Sequence, residues 1–172
     1  MYVKDVIAYN LSILFIGFNP GLKSGETGCH FAGPSNRFWR LLADSGLTPR
    51  KLAPAEDRLL LTWGYGITNI VSRPTRSAAE ITRQEYATGR AELKLKLQTY
   101  KPQIACYVGI GVYRQFTGKS KIACGLQPEP AIPGMLDFVV SSPSGLNRIP
   151  VQTQLACFEE LKSLMAGELN KG

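Results

Sequence analysis

The chain has 172 residues, 44% of them apolar and 19% charged, a balance that excludes disorder and supplies one ordinary domain, residues 1–172, with enough apolar material to fold without disulfides or metal. No apolar stretch approaches the roughly 18 residues that a membrane span needs, so no membrane partner is expected. The formal net charge of +7 favours an anionic partner, because clustered Lys and Arg release counterions when they meet phosphate.

In chain order, the apolar run Ile13 to Phe18 predicts a fully buried strand that empties into a long loop carrying Gly21, Gly25, Gly28 and Gly33. The loop closes on Pro34-Ser35-Asn36 and a helix from Asn36 to Gly46, with Phe38, Leu41 and Leu42 at helical spacing and Gly46 as its stop. Pro54 to Thr62 predicts a second helix, since Pro54 suits a first turn and Glu56 and Asp57 suit its positive end. Trp63-Gly-Tyr-Gly breaks it, Ile67 to Val71 predicts a short strand, and Ser72 to Arg76 a basic turn beyond that strand's carboxyl end. Thr82 and Glu85 form a capping box ahead of a helix whose Tyr86, Leu93, Leu97 and Tyr100 make an apolar stripe. Ile104 to Val108 predicts another buried strand, Gly109 and Gly111 its turn, and Val112 to Phe116 a short helix. Residues 118–134, with three prolines and no period, predict irregular structure or an edge strand. Asp137 to Ser141 is the last core strand, Ser142 to Arg148 a polar loop, and Val151, Leu155, Phe158 and Met165 trace a C-terminal helix. Alternating strands and helices imply an α/β fold with a mainly parallel sheet covered on both faces.

Cys29, Cys106, Cys124 and Cys157 include no C-x-x-C pair, and His30 is the chain's one histidine. That spacing argues against zinc and iron–sulfur sites, so neither metal nor cofactor is expected and the thiols read as scattered buried residues. MYVKDVIAYN has neither a long apolar segment nor a small-residue cleavage site, which points to a reducing compartment.

Two polar loops, Asn19 to Asn36 and Ser142 to Arg148, follow apolar strands and would open on one edge of a parallel sheet, where open α/β sheets bind ligands. Asn69 could reach the same edge. The first loop lacks G-x-G-x-x-G, and Lys23-Ser24 is not preceded by the glycine spacing of a P-loop, so a nucleotide-phosphate cradle and a small-molecule enzyme built on one lose their support.

Four segments in this order, GFNPG at 17–21, FAGPSNRFW at 31–39, GITNIV at 66–71 and SPSGLNR at 142–148, resemble the mismatch-specific uracil/thymine DNA glycosylases of the uracil-DNA glycosylase superfamily. The resemblance implies a three-layer α/β/α sandwich around a mainly parallel sheet of four or five strands. It implies a monofunctional enzyme that flips uracil, or less readily thymine or a modified pyrimidine, from G·U or G·T mispairs and hydrolyses its N-glycosidic bond, leaving an abasic site for base excision repair. Asn19 would position the attacking water, Phe31 would stack on the flipped base, and Phe18, His30 and Asn69 would complete the base pocket. Ser144, Gly145, Leu146, Asn147 and Arg148 would bind DNA, with Leu146 as the wedge. Arg37, Arg73, Arg76 and Lys23 are candidates for phosphate. The expected partner is double-stranded DNA carrying such mispairs, the expected state a monomer, and the expected location the bacterial cytoplasm at the nucleoid or the eukaryotic nucleus.

An amide cannot take a proton at neutral pH, and Glu26 is the one carboxylate in the first loop. The lack of a carboxylate beside Asn19 keeps a second reading open, a non-catalytic module of the same fold that binds mismatched or damaged DNA.

Overall fold

A computed structural model describes the backbone of residues 2–171 and the side chains of residues 2–167. Its centre is a five-stranded sheet: β1 (Ile13–Gly17), β2 (Tyr65–Asn69), β3 (Ile104–Val108), β4 (Gly125–Leu126) and β5 (Leu136–Val140), in the spatial order β2-β1-β3-β5-β4. The pairs β1/β2, β1/β3 and β3/β5 are parallel, and β4 joins β5 antiparallel at the edge. Helices α1 (Leu22–Thr27), α2 (Phe38–Asp44), α3 (Arg83–Tyr100), α4 (Ile110–Thr117) and α5 (Val151–Lys171) flank it, with 3-10 segments at Pro54–Trp63 and Ala78–Glu80.

Every residue of β1 is buried, which explains its unbroken apolar run. Alternate side chains still sort to opposite faces. Ile13 and Phe15 pack with Phe38, Leu41 and Leu42 of α2 and Phe158 and Leu161 of α5, whereas Leu14 and Ile16 pack with Leu93 and Leu97 of α3 and Val112 and Tyr113 of α4. The result is the α/β/α sandwich, with the higher of the two expected strand counts. None of the described helices is long and apolar enough to cross a membrane.

The differences from the sequence reading have local causes. The second strand begins two residues early, because Tyr65 and Gly66 pair with Ile13 and Leu14. Gly66 is required there: a Cβ would lie 2.3 Å from the Val6 carbonyl, in an N-terminal segment bridged to Ile67. The Pro54 segment winds as a 3-10 helix. The first polar loop contains the short helix α1, stopped by Gly28 in the left-handed region at φ 74°. The thiols also divide, since Cys106 and Cys157 are buried while Cys29 is half-buried and Cys124 exposed.

The chain leaves β1 towards β2 on one side, and the next parallel strand, β3, lies on the other. Such a switch opens a crevice at the strands' carboxyl ends. On the β2 side α3 crosses at backbone contact: a Cβ on Gly89 would stand 2.2 Å from the Ile70 carbonyl, so bare glycine draws the 70–77 segment against the sheet end.

Candidate active site

The crevice holds a cavity of about 420 Å³ bounded by Gly17 at the end of β1, Phe18 and Asn19 after it, Asn69 at the end of β2, Val108 at the end of β3 and Ser142 to Gly145 beyond β5, with Phe31 as a wall. The two loops and Asn69 therefore meet at one sheet edge.

Asn19 is held from one side. Its Nδ2 donates to the Arg73 carbonyl and to Thr75 Oγ1, each at 2.8 Å, while Thr75 Oγ1 donates onward to the Ser77 carbonyl. Both Asn19 partners act as acceptors, so the amide nitrogen faces them and the carbonyl oxygen faces away. Among the described residues no hydrogen bond occupies that oxygen. The supporting loop is itself paired to the first: Thr75 N donates to the Pro20 carbonyl, and Val71 N to that of Phe18.

Phe31 has φ 49°, and its ring stacks on Phe38 with centroids 4.1 Å apart and planes 22° apart. Ala32 N donates to Ser24 Oγ, so α1 pins the next residue. Between the wall and β2 lies Gly17: a Cβ there would sit 2.7 Å from Asn69 Oδ1 and 3.8 Å from Phe31 Cζ. Glycine thus keeps the floor low enough for the Asn69 amide and the aromatic ring to face one space. Phe18 contributes backbone at the cavity, while its ring packs on Gly111 at the start of α4 and edge-on to Tyr86.

His30 is buried and lines the cavity, with its backbone N, its carbonyl and its ring Nε2 bonded. Its backbone N donates to Asp57 Oδ2, its carbonyl accepts from Trp39 Nε1, and its ring Nε2 donates to the Lys4 carbonyl at 2.8 Å. Burial lowers the imidazole's pKa below 6.5, against smaller opposing effects of the Lys4 carbonyl, Asp57 and Asp5. The neutral ring ties the aromatic wall to the N-terminal segment.

The second loop is an ordered turn. Asn147 N donates to the Ser144 carbonyl, Leu146 N to Ser144 Oγ, and Asn147 Nδ2 to the Ser142 carbonyl. It leans on the first loop: Arg37 N donates to the Pro143 carbonyl, Arg37 Nη1 to the Asn147 carbonyl, and a Cβ on Gly145 would lie 2.5 Å from Ser35 Oγ. Held this way, Leu146 stands 92% exposed at the tip. Arg148 beside it is also exposed.

Of the four phosphate candidates, Arg37 serves this loop junction and Arg73 is an internal clamp, its guanidinium pairing with Glu85 at 2.6 and 3.2 Å and reaching the Glu80 carbonyl. That pairing and the Thr82 cap lower the Glu85 carboxyl to about 2. Arg76 and Lys23 are exposed, Lys23 3.9 Å from Glu26. Glu26 is solvated outside the cavity, and among the described residues no carboxylate lines it. Thr75, Ser24 and Ser35 are the residues that motif reading missed. The Arg-Pro-Thr turn after β2 signalled a bend, but nothing local shows that its threonine reaches Asn19.

Such a site can orient a water through an amide oxygen, receive a planar ring against Phe31 and hydrogen-bond its edge. It offers no anionic base. Residues 4–165 match the model of a family described as the Uracil DNA glycosylase superfamily. The fold also matches the solution NMR structure of a candidate uracil DNA glycosylase from Methanosarcina acetivorans, with a TM-score of 0.64 and 18% identity over 96% of this chain and 97% of that one. At that identity the likeness is one of fold.

Proposed function

The chain belongs to the uracil DNA glycosylase superfamily, and from that membership we propose that it is a monofunctional, mismatch-directed DNA glycosylase, removing uracil and more slowly thymine from opposite guanine. The observation that carries the reading is Asn19, clamped through its nitrogen with its oxygen free, at a cavity with an aromatic wall and no carboxylate lining.

The extruded pyrimidine stacks on Phe31, and the Asn69 amide meets its polar edge. Glycosidic cleavage passes through an oxocarbenium-like state, so the sugar carbon is electrophilic before water bonds to it. A water accepted by Asn19 Oδ1 then needs placement more than deprotonation, and its proton leaves after the new C–O bond has formed. A positioned general base contributes about 10²- to 10⁴-fold, so a site using an amide gives up part of that rate. Such an enzyme gains from substrates whose bases leave the stack easily, which mispairs do. Leu146, held out by the Ser142–Asn147 turn, fills the vacated stack, and Arg148 reaches phosphate or the orphan guanine.

The absence of a lining carboxylate also favours the second reading, a non-catalytic mismatch-binding module. Duplexes identical except for one central pair, G·U, A·U, G·T or G·C, separate the two. The proposal expects alkali-labile strands fastest from G·U, more slowly from G·T and none from G·C. Equal rates on A·U and G·U would refute the mismatch preference, and tight G·U binding without abasic product would favour the binding module.

A further inference from the structure

Cys124 lies on the far edge of the sheet and is exposed, immediately before β4. The next residue, Gly125, pairs across the antiparallel ladder with Val139, and the Val139 carbonyl accepts from Cys157 Sγ of α5 at 3.5 Å. One turn along the same helix, Glu160 Oε2 would stand 3.5 Å from a Cβ on Gly125. The strand residue beside Cys124 is therefore fixed against the helical face that carries Cys157, which brings the two thiols side by side. We propose that Cys124 and Cys157 are a hydroperoxide-reactive thiol pair that closes to a disulfide joining β4 to α5, a modification site separate from the base cavity.

The two sulfurs have different roles. The Cys157 thiol beside it holds the Cys124 thiol down at about 7 against desolvation and Glu160, leaving a large thiolate fraction at neutral pH. Cys157, buried and donating, is pushed far up and stays protonated. The Cys124 thiolate attacks an oxygen of hydrogen peroxide or an organic hydroperoxide. The O–O bond breaks, a sulfenic acid forms on Cys124, and the departing hydroxide or alkoxide takes a proton from water. Cys157 sulfur then attacks Cys124 Sγ. The S–O bond breaks, the Cys157 proton leaves with the hydroxide as water, and the S–S bond forms. Two thiols and one hydroperoxide give one disulfide, one water and one water or alcohol. Cys106 of β3 is the nearest other thiol and is wholly buried, while Cys29 donates its thiol to the Thr27 carbonyl, so the peptide map must distinguish Cys106 from Cys157 as the partner of Cys124.

The test uses the full chain carrying Cys29→Ser, titrated with hydrogen peroxide, alkylated and mapped by mass. The expected product is monomeric, lighter by two hydrogens, and yields one linked peptide pair containing Cys124 and Cys157. Adding Cys157→Ser should stop the reaction at a Cys124 sulfenic acid captured by dimedone. Adding Cys124→Ser, an exposed position that leaves the core intact, should preserve the other thiols at the same dose. Reduced Cys124 in folded, peroxide-treated protein would overturn the proposal. So would Cys124 recovered solely in overoxidised form or in disulfide-linked dimers with Cys157 free.

Discussion

At the scale of single residues, Asn19 is useful because its amide is spent on one side. Thr75 accepts its nitrogen and passes a hydrogen bond to the Ser77 carbonyl, which locks the orientation. Thr75→Val keeps the shape and removes the acceptor, so the amide gains freedom about the remaining Arg73 contact. A lost hydrogen bond of this kind is worth about 1 kcal/mol. Single-turnover cleavage should fall by roughly fivefold with DNA affinity unchanged; an unchanged rate would show that the clamp is dispensable. His30, expected in the base pocket, lines the cavity with its ring Nε2 turned to the Lys4 carbonyl. Its folded pKa lies below 6.5, so between that value and 6.5 the unfolded chain binds more protons, and stability falls as pH drops through this window. Urea midpoints should decline from about pH 8 to about pH 5 more steeply in the natural chain than in His30→Gln, which keeps an amide donor for Lys4. Parallel declines would remove His30 from the account of acid sensitivity. Asn19, Phe31 and Asn69 were legible because strand ends and motifs mark them. The partner of Asn19 was not, because a contact between residues 56 positions apart leaves no local trace.

Among elements, the two loops work as one device, joined where Gly145 rests on Ser35 and Arg37 reaches the Pro143 and Asn147 carbonyls. Gly145→Ala would place a Cβ 2.5 Å from Ser35 Oγ and 2.6 Å from its Cβ, forcing the turn away from the first loop. Cleavage of a G·U duplex should drop by roughly 10²-fold, and Ser35→Gly in the same chain should recover part of it. Additive losses in that double-variant cycle would contradict the coupling. Leu146→Ala acts on the wedge alone and should reduce duplex cleavage while sparing a single-stranded substrate, where there is no stack to refill; equal losses on both would count against a wedge. The capping box at Thr82 and Glu85, the strands at Ile13 and Ile104 and the long helices were legible from periodicity and capping chemistry. Helix α1 was not, because its six residues carry two glycines' worth of loop signal around them and draw stability from the Ser24–Ala32 contact instead. The same competition moved β2 earlier, where pairing of Tyr65 and Gly66 with Ile13 and Leu14 overrode glycine's weak strand preference.

For the whole molecule, the sheet order β2-β1-β3-β5-β4 brings GFNPG, GITNIV and SPSGLNR to one edge although they span most of the chain. Their meeting at one sheet edge was legible in the sequence from polar loops that follow apolar strands, and the alternation of elements carried the fold class. What the sequence could not supply was the division of the cations: Arg73 and Arg37 are structural ties, so the net charge of +7 overstates the number of arginines free for phosphate near the cavity. The central claim is that an amide-oriented water at Asn19 performs the hydrolysis. The direct measurement is the single-turnover rate of abasic-site formation on a G·U duplex by the natural chain and by Asn19→Ala, with DNA affinity and urea unfolding followed in parallel. The account predicts a rate at least about a hundredfold lower in Asn19→Ala with binding and stability retained. A folded, DNA-binding Asn19→Ala that cleaves at the natural rate would contradict it.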